Sequence, residues 1–135
     1  MNKSTYPSTS YSPDQAKHYS SYRPPLHSSI LEKCIGARKY SFGLDIGCGT
    51  GHSTLALKQY CERVFGIEPS RSMLEKAIDA PGVTYETYDG LLIPGQEEQF
   101  DIITFAGSLY YAKSHALLAE VQRVLTSGGH IVIYD

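Results

Sequence analysis

Leu44-Asp45-Ile46-Gly47-Cys48-Gly49-Thr50-Gly51 runs from an apolar stretch into three closely spaced glycines. Phe42, Leu44 and Ile46 supply the apolar residues of a short buried strand over 42–46, and the glycines at 47, 49 and 51 follow it. Without side chains these positions permit a tight turn and let a ligand approach the backbone closely. Leu55, Ala56 and Leu57 then fit the inward face of a helix over about 52–60. Its first turn would present free N–H groups and the positive end of its dipole to whatever the turn holds.

Working outward, the chain keeps alternating. Strands are expected over 63–67, 83–88, 100–105 and 131–134. Between them, Met73, Leu74, Ala77 and Ile78 mark one face of a helix over 69–80, with Pro69 tolerated in its first turn. Ser114 fits the N-cap of a helix carrying Leu117, Leu118, Val121, Val124 and Leu125, which Ser127-Gly128-Gly129 should break. Upstream, Pro24-Pro25 should end any earlier helix, and Ser29-Ile30-Leu31-Glu32 fits a capping box opening a new one. Strands separated by helices demand parallel pairing. The expected fold class is therefore α/β: a Rossmann-like, doubly wound parallel sheet of five strands with helices on both faces. Such sheets bind ligands beyond the carboxyl ends of their strands, where strand order reverses, and the glycine turn lies there.

Composition narrows the function classes. With 12 Lys plus Arg against 14 Asp plus Glu, the formal net charge is -2. That is not the cationic excess of a nucleic-acid-binding surface. The polar N-terminus is not a secretory signal, and no apolar run approaches the roughly 20 residues needed to cross a bilayer. The three cysteines, Cys34, Cys48 and Cys61, lack zinc or disulfide-framework spacing, so neither a metal site nor a membrane partner is expected and the cytoplasm is the expected compartment. Residues 1–25 read as an N-terminal arm or lid, and 26–135 as the ligand-binding domain.

Competing glycine motifs fit less well. A dinucleotide fingerprint requires G-x-G-x-x-G, and His52 stands where the last glycine belongs. This leaves a nicotinamide-dependent oxidoreductase as a remote alternative. A Walker A loop is excluded because no Gly-Lys-Ser/Thr follows.

The full set of motifs resembles the class I S-adenosylmethionine-dependent methyltransferases, in particular their small-molecule branch typified by quinone-biosynthesis enzymes. Residues 44–51 look like the first motif of that family. Glu68-Pro69-Ser70 with Met73-Leu74 and Ala77 is similar to the second, and Asp89 with Ile93-Pro94 to the third. Phe100-Asp101-Ile102-Ile103-Thr104-Phe105 through Leu109-Tyr110-Tyr111 resembles the fourth, and Arg123-Val124-Leu125-Thr126-Ser127-Gly128-Gly129 the segment before the fifth strand. The resemblance covers about residues 40–135 and implies strand order 3-2-1-4-5. It further implies that full-length members continue with two more strands and an insertion. Without these, the fifth strand would be an open apolar edge suited to self-association.

The site implied by the resemblance comprises Asp45, Gly47, Cys48, Gly49, Gly51, Glu68, Pro69, Met73, Asp89, Gly90, Ala106 and Gly107, holding S-adenosylmethionine or its product S-adenosylhomocysteine. Glu68 would accept from both ribose hydroxyls, a reading that strand-end chemistry supports independently. Asp89 would accept from the adenine amino group, or instead cap a turn with Gly90. Met73 would pack on adenine or serve as helix core. Asp45 is expected to order the glycine loop through backbone N–H groups, and Cys48 to act as a small filler. Ala106 and Gly107 would offer backbone groups near the methionine portion. The implied reaction is methyl transfer to a small-molecule acceptor, for which alignment matters most. Tyr110, Tyr111 and His18 are candidates for any general base, beside the weaker Tyr19, Tyr22 and His115. The alternative is a module that binds the same cofactor without transferring its methyl.

Overall fold

A parallel sheet forces each connection back across one face, so the helices must carry the apolar residues that cover it. The computed structural model describes residues 24–107 and 114–134. Its five strands are β1 (Tyr40–Ile46), β2 (Cys61–Glu68), β3 (Val83–Thr87), β4 (Phe100–Ala106) and β5 (Leu125–Tyr134). They form one sheet in the order β3-β2-β1-β4-β5, and every neighbouring pair is parallel. The helices are α1 (Pro24–Ile35), α2 (His52–Lys58), α3 (Arg71–Leu74) and α4 (His115–Val124).

Alternation along the strands separates two cores. Leu44, Ile46, Ile103 and Phe105 face Leu117, Val121 and Val124 of α4. Val64 and Ile102 face the other way, against Leu31 and Ile35 of α1 and Ala56 and Leu57 of α2. Burying each of the Leu, Ile, Val and Phe side chains among these contributes about 1.5–3 kcal/mol, so both faces are firmly covered. The chain builds outward from β1 to β3, then returns past β1 to lay down β4 and β5. Strand order therefore reverses between β1 and β4, and the crevice beyond their carboxyl ends is where the fold leaves room for a ligand.

Three local expectations are corrected. The helix expected over 69–80 is a single turn, Arg71–Leu74, capped by the Ser70 side chain. It stops because the amides that follow find other acceptors. Lys76 and Ala77 donate to Met73 and Leu74, three residues back, and Ile78 donates across to the Thr50 carbonyl at 3.1 Å. α1 begins at Pro24, ahead of the Ser29-Ile30-Leu31-Glu32 stretch expected to open it, since proline suits a first turn whose N–H groups have no intrahelical partner. Ser127-Gly128-Gly129 does not separate α4 from a later strand. β5 starts at Leu125, directly after the helix, and these residues lie in an irregularity of the ladder. Phe100 pairs with Leu125 and Ile102 with His130, so β5 bulges where Gly128 takes φ +81°.

Candidate functional site

The turn after β1 is built from its backbone. Gly47, Gly49 and Gly51 adopt φ of +75°, +57° and +97°, a region that L side chains enter at a cost. Gly47 and Cys48 both donate to the Ile67 carbonyl, at 2.8 and 3.1 Å, which ties the loop to the end of β2. Gly51 is also hemmed in by its surroundings. A Cβ there would overlap the Tyr85 hydroxyl oxygen and lie 3.3 Å from the Ile78 nitrogen. Tyr85 reaches this position from β3 and donates to the Ile78 carbonyl at 2.7 Å.

Glu68, at the carboxyl end of β2, is buried, and its two oxygens take separate partners. Oε1 accepts from the Gly49 amide at 2.9 Å and Oε2 from the Ser70 amide at 3.0 Å. The carboxylate thus joins the glycine loop to the start of α3. Met73, buried on α3, brings its Cε to 3.3 Å from where a Gly49 Cβ would stand, so the second and first motifs pack together.

Asp45 is wholly buried but does not work through loop amides as expected. Its Oδ2 accepts from Ser53 Oγ at 2.6 Å and Thr54 Oγ1 at 2.9 Å, and its Oδ1 from Thr104 Oγ1 at 2.9 Å. Burial raises this carboxyl from 3.8 to about 6; the three hydroxyls pull it down and the Glu68 charge adds to the rise. Cys48 is buried beside Gly66, and burial pushes its thiol well above the ordinary range, reinforced by the Asp45 and Glu68 charges. A thiol so held is a filler and not a nucleophile.

Asp89 lies beyond β3 and is exposed. Its Oδ1 accepts from the amides of Leu91 and Leu92 at 2.8 and 2.9 Å, and these bonds lower its pKa. It caps a turn with Gly90, which has φ +90°. At the end of β4, Gly107 has φ +72° and donates its N–H to the Tyr134 carbonyl at 2.7 Å. That amide therefore serves the sheet. Ala106 stands beside it, in register with Tyr134.

The structure thus brings residues 45–51, Glu68, Pro69 and Met73 together at the ends of β1 and β2, with Ala106 closing β4 and Asp89 beyond β3. His18, Tyr19, Tyr22, Tyr110 and Tyr111 lie outside the described residues. His115 is the first residue of α4. Sequence reading missed Ser53, Thr54, Thr104, Ser70 and Tyr85. Thr104 left one usable signal, a polar residue inside the apolar run of β4 that register sets opposite Asp45.

Comparison with known proteins agrees with this geometry. Residues 44–133 match the family described as "Methyltransferase domain". A Staphylococcus aureus demethylmenaquinone methyltransferase is 33% identical over 111 residues, which cover 76% of this chain and 46% of that protein. A Saccharomyces cerevisiae protein described as a "Probable S-adenosylmethionine-dependent methyltransferase" is 28% identical over 134 residues, covering 85% of this chain and 43% of that one. The chain thus spans under half the length of these relatives. Among solved structures, a SAM-dependent methyltransferase from Aquifex aeolicus superposes with a TM-score of 0.72 at 19% identity, covering 86% of this chain and 68% of that one. At that identity the likeness concerns the fold.

Proposed function

Since this chain belongs to the methyltransferase-domain family, we propose that it binds S-adenosylmethionine at the glycine loop and transfers its methyl group to a small-molecule acceptor. The observation that carries the reading is the pair of bonds from Glu68 to Gly49 and Ser70, which sets a buried carboxylate between the loop and α3. The two amides fix how the carboxylate is turned, and a carboxylate oxygen accepts from hydroxyls as readily as from amides. The residues fit the donor: the glycines clear the backbone, Met73 offers a soft apolar surface for a purine, and Glu68 orients the sugar.

The bound donor supplies the activated methyl on a sulfonium. The chain's share is alignment and exclusion of water, with the acceptor atom held for in-line displacement beyond the ends of β1 and β4. The relative's name, demethylmenaquinone methyltransferase, favours a small organic acceptor. We place the chain in the cytoplasm, a reading favoured by three free cysteines. The outer edge of β5, which exposes Ile131 and Ile133 and carries no charged side chain, is where a second copy would pair. Sedimentation at increasing concentration that shows only monomer would remove that pairing.

Calorimetric titration with S-adenosylmethionine, S-adenosylhomocysteine and NAD tests the central claim. Binding of the first two, weakened in Glu68→Gln, is expected. Binding of NAD alone would overturn it. The Glu68 bonds to the loop and to α3 equally suit one second reading, a module that binds the donor without transfer. Tight binding with no label passed from methyl-tritiated donor to any acceptor would select it.

A further inference from the structure

Asp45 is held by hydroxyls from two directions. Ser53 and Thr54 reach it from the first turn of α2, immediately past the loop, and Thr104 reaches it from β4 on the far side of the strand-order reversal. The carboxyl therefore spans the crevice floor and anchors the exit of the glycine loop. Ionisation controls how many of these hydroxyls it can hold. A carboxylate only accepts, so all three donate to it at once, whereas a carboxylic acid must spend one oxygen as a donor. Protonation then forces one hydroxyl to turn or to lose its partner. The titratable groups coupled to Asp45 are Glu68 from β2, Cys48 from the loop and Tyr85 from β3, and none of them is cationic. The hydroxyls are what hold the anion in place.

Resting on the reading that the loop holds the methyl donor, we propose that Asp45 is a positioning residue. Its ionised carboxylate grips Ser53, Thr54 and Thr104, holds the loop in its binding shape without touching the ligand, and so links ligand binding to the loss of one proton. Linkage is reciprocal, so the ligand must then favour ionised Asp45 by the factor by which ionisation favours the ligand.

The test is calorimetric titration of the 135-residue chain with S-adenosylhomocysteine between pH 5 and 7.5. A carboxyl that ionises at about 6 is charged in only about a tenth of molecules at pH 5. Apparent affinity should therefore be about tenfold weaker there than on the neutral plateau. At pH 6, buffers of different ionisation heat should reveal release of about half a proton per ligand bound. Asp45→Asn should bind more weakly than wild type at pH 7.5 and show no pH dependence over this range, an outcome that mere structural support would not produce. Thr104→Val, a smaller change, removes one donor to the ionised form and should move the midpoint of the wild-type profile upward. Affinity independent of pH in wild type, or a profile kept intact in Asp45→Asn, overturns the assignment to Asp45 while leaving donor binding standing. A folded wild-type chain with no affinity at any pH sinks the donor-binding reading, and this inference with it.

Discussion

Gly51→Ala is the most informative single change to the loop, because two separate costs fall on one methyl group. Gly51 has φ +97°, and holding an L residue in a left-handed conformation costs about 1–2 kcal/mol. The new Cβ would also overlap the Tyr85 hydroxyl oxygen, well inside contact distance, so the ring has to move. Tyr85 cannot move freely, since its hydroxyl donates to the Ile78 carbonyl at 2.7 Å. Forcing such a side chain aside typically costs about 1–3 kcal/mol. Together these give a destabilisation of about 2–5 kcal/mol, to be read by urea denaturation followed by circular dichroism. Tyr85→Phe separates the two contributions. Alone it should cost about 1 kcal/mol or somewhat more for the lost bond. In the double variant the oxygen is already gone, so its loss should fall short of the summed single losses by about 1–3 kcal/mol. A Gly51→Ala chain within about 0.5 kcal/mol of wild type would refute the reasoning, and strict additivity with Tyr85→Phe would remove the steric part of it.

Three further outcomes are expected. The Asp45 carboxyl ionises at about 6 in the fold against 3.8 ordinarily, so between these values the folded chain binds more protons than the unfolded chain. Stability therefore falls as pH rises through that window, and the lead of wild type over Asp45→Asn should shrink by about 2.4 kcal/mol between pH 4 and 7 in urea titrations; a lead that is constant or grows would contradict the burial argument. Glu68→Gln turns one end of the side chain into a donor facing a backbone N–H. Hydrogen exchange at Gly49 or Ser70 should accelerate, at a cost of about 1–3 kcal/mol, and unchanged protection at both amides would show that Glu68 does not hold the loop. Ser114→Ala removes the oxygen that accepts from the Leu117 amide at 3.0 Å, and should lower stability by about 1 kcal/mol in chemical denaturation. No measurable change would mean that the α4 cap is replaced by solvent.

The order of strands and helices was legible in the residues alone, because hydrophobic periodicity is a local property and the βα alternation admits only parallel pairing. So were the glycine loop and the acidic end of β2, since a turn without side chains and a carboxylate at a strand end are visible as residue types. The resemblance supplied strand order, which the structure bears out. Where elements end was not legible. α3 stops after one turn because Thr50, far away in the chain, takes the amide of Ile78, and β5 absorbs Ser127-Gly128-Gly129 as a bulge because β4 lies alongside to pair with it. The partners of Asp45 were likewise beyond local reading. Ser53 and Thr54 look like ordinary helix residues and Thr104 like a lapse in an apolar strand, until parallel register sets Thr104 opposite Asp45 and the loop folds α2 back over it. A buried charge needs donors from wherever the fold can bring them, and which residues those are depends on packing between segments distant in the chain.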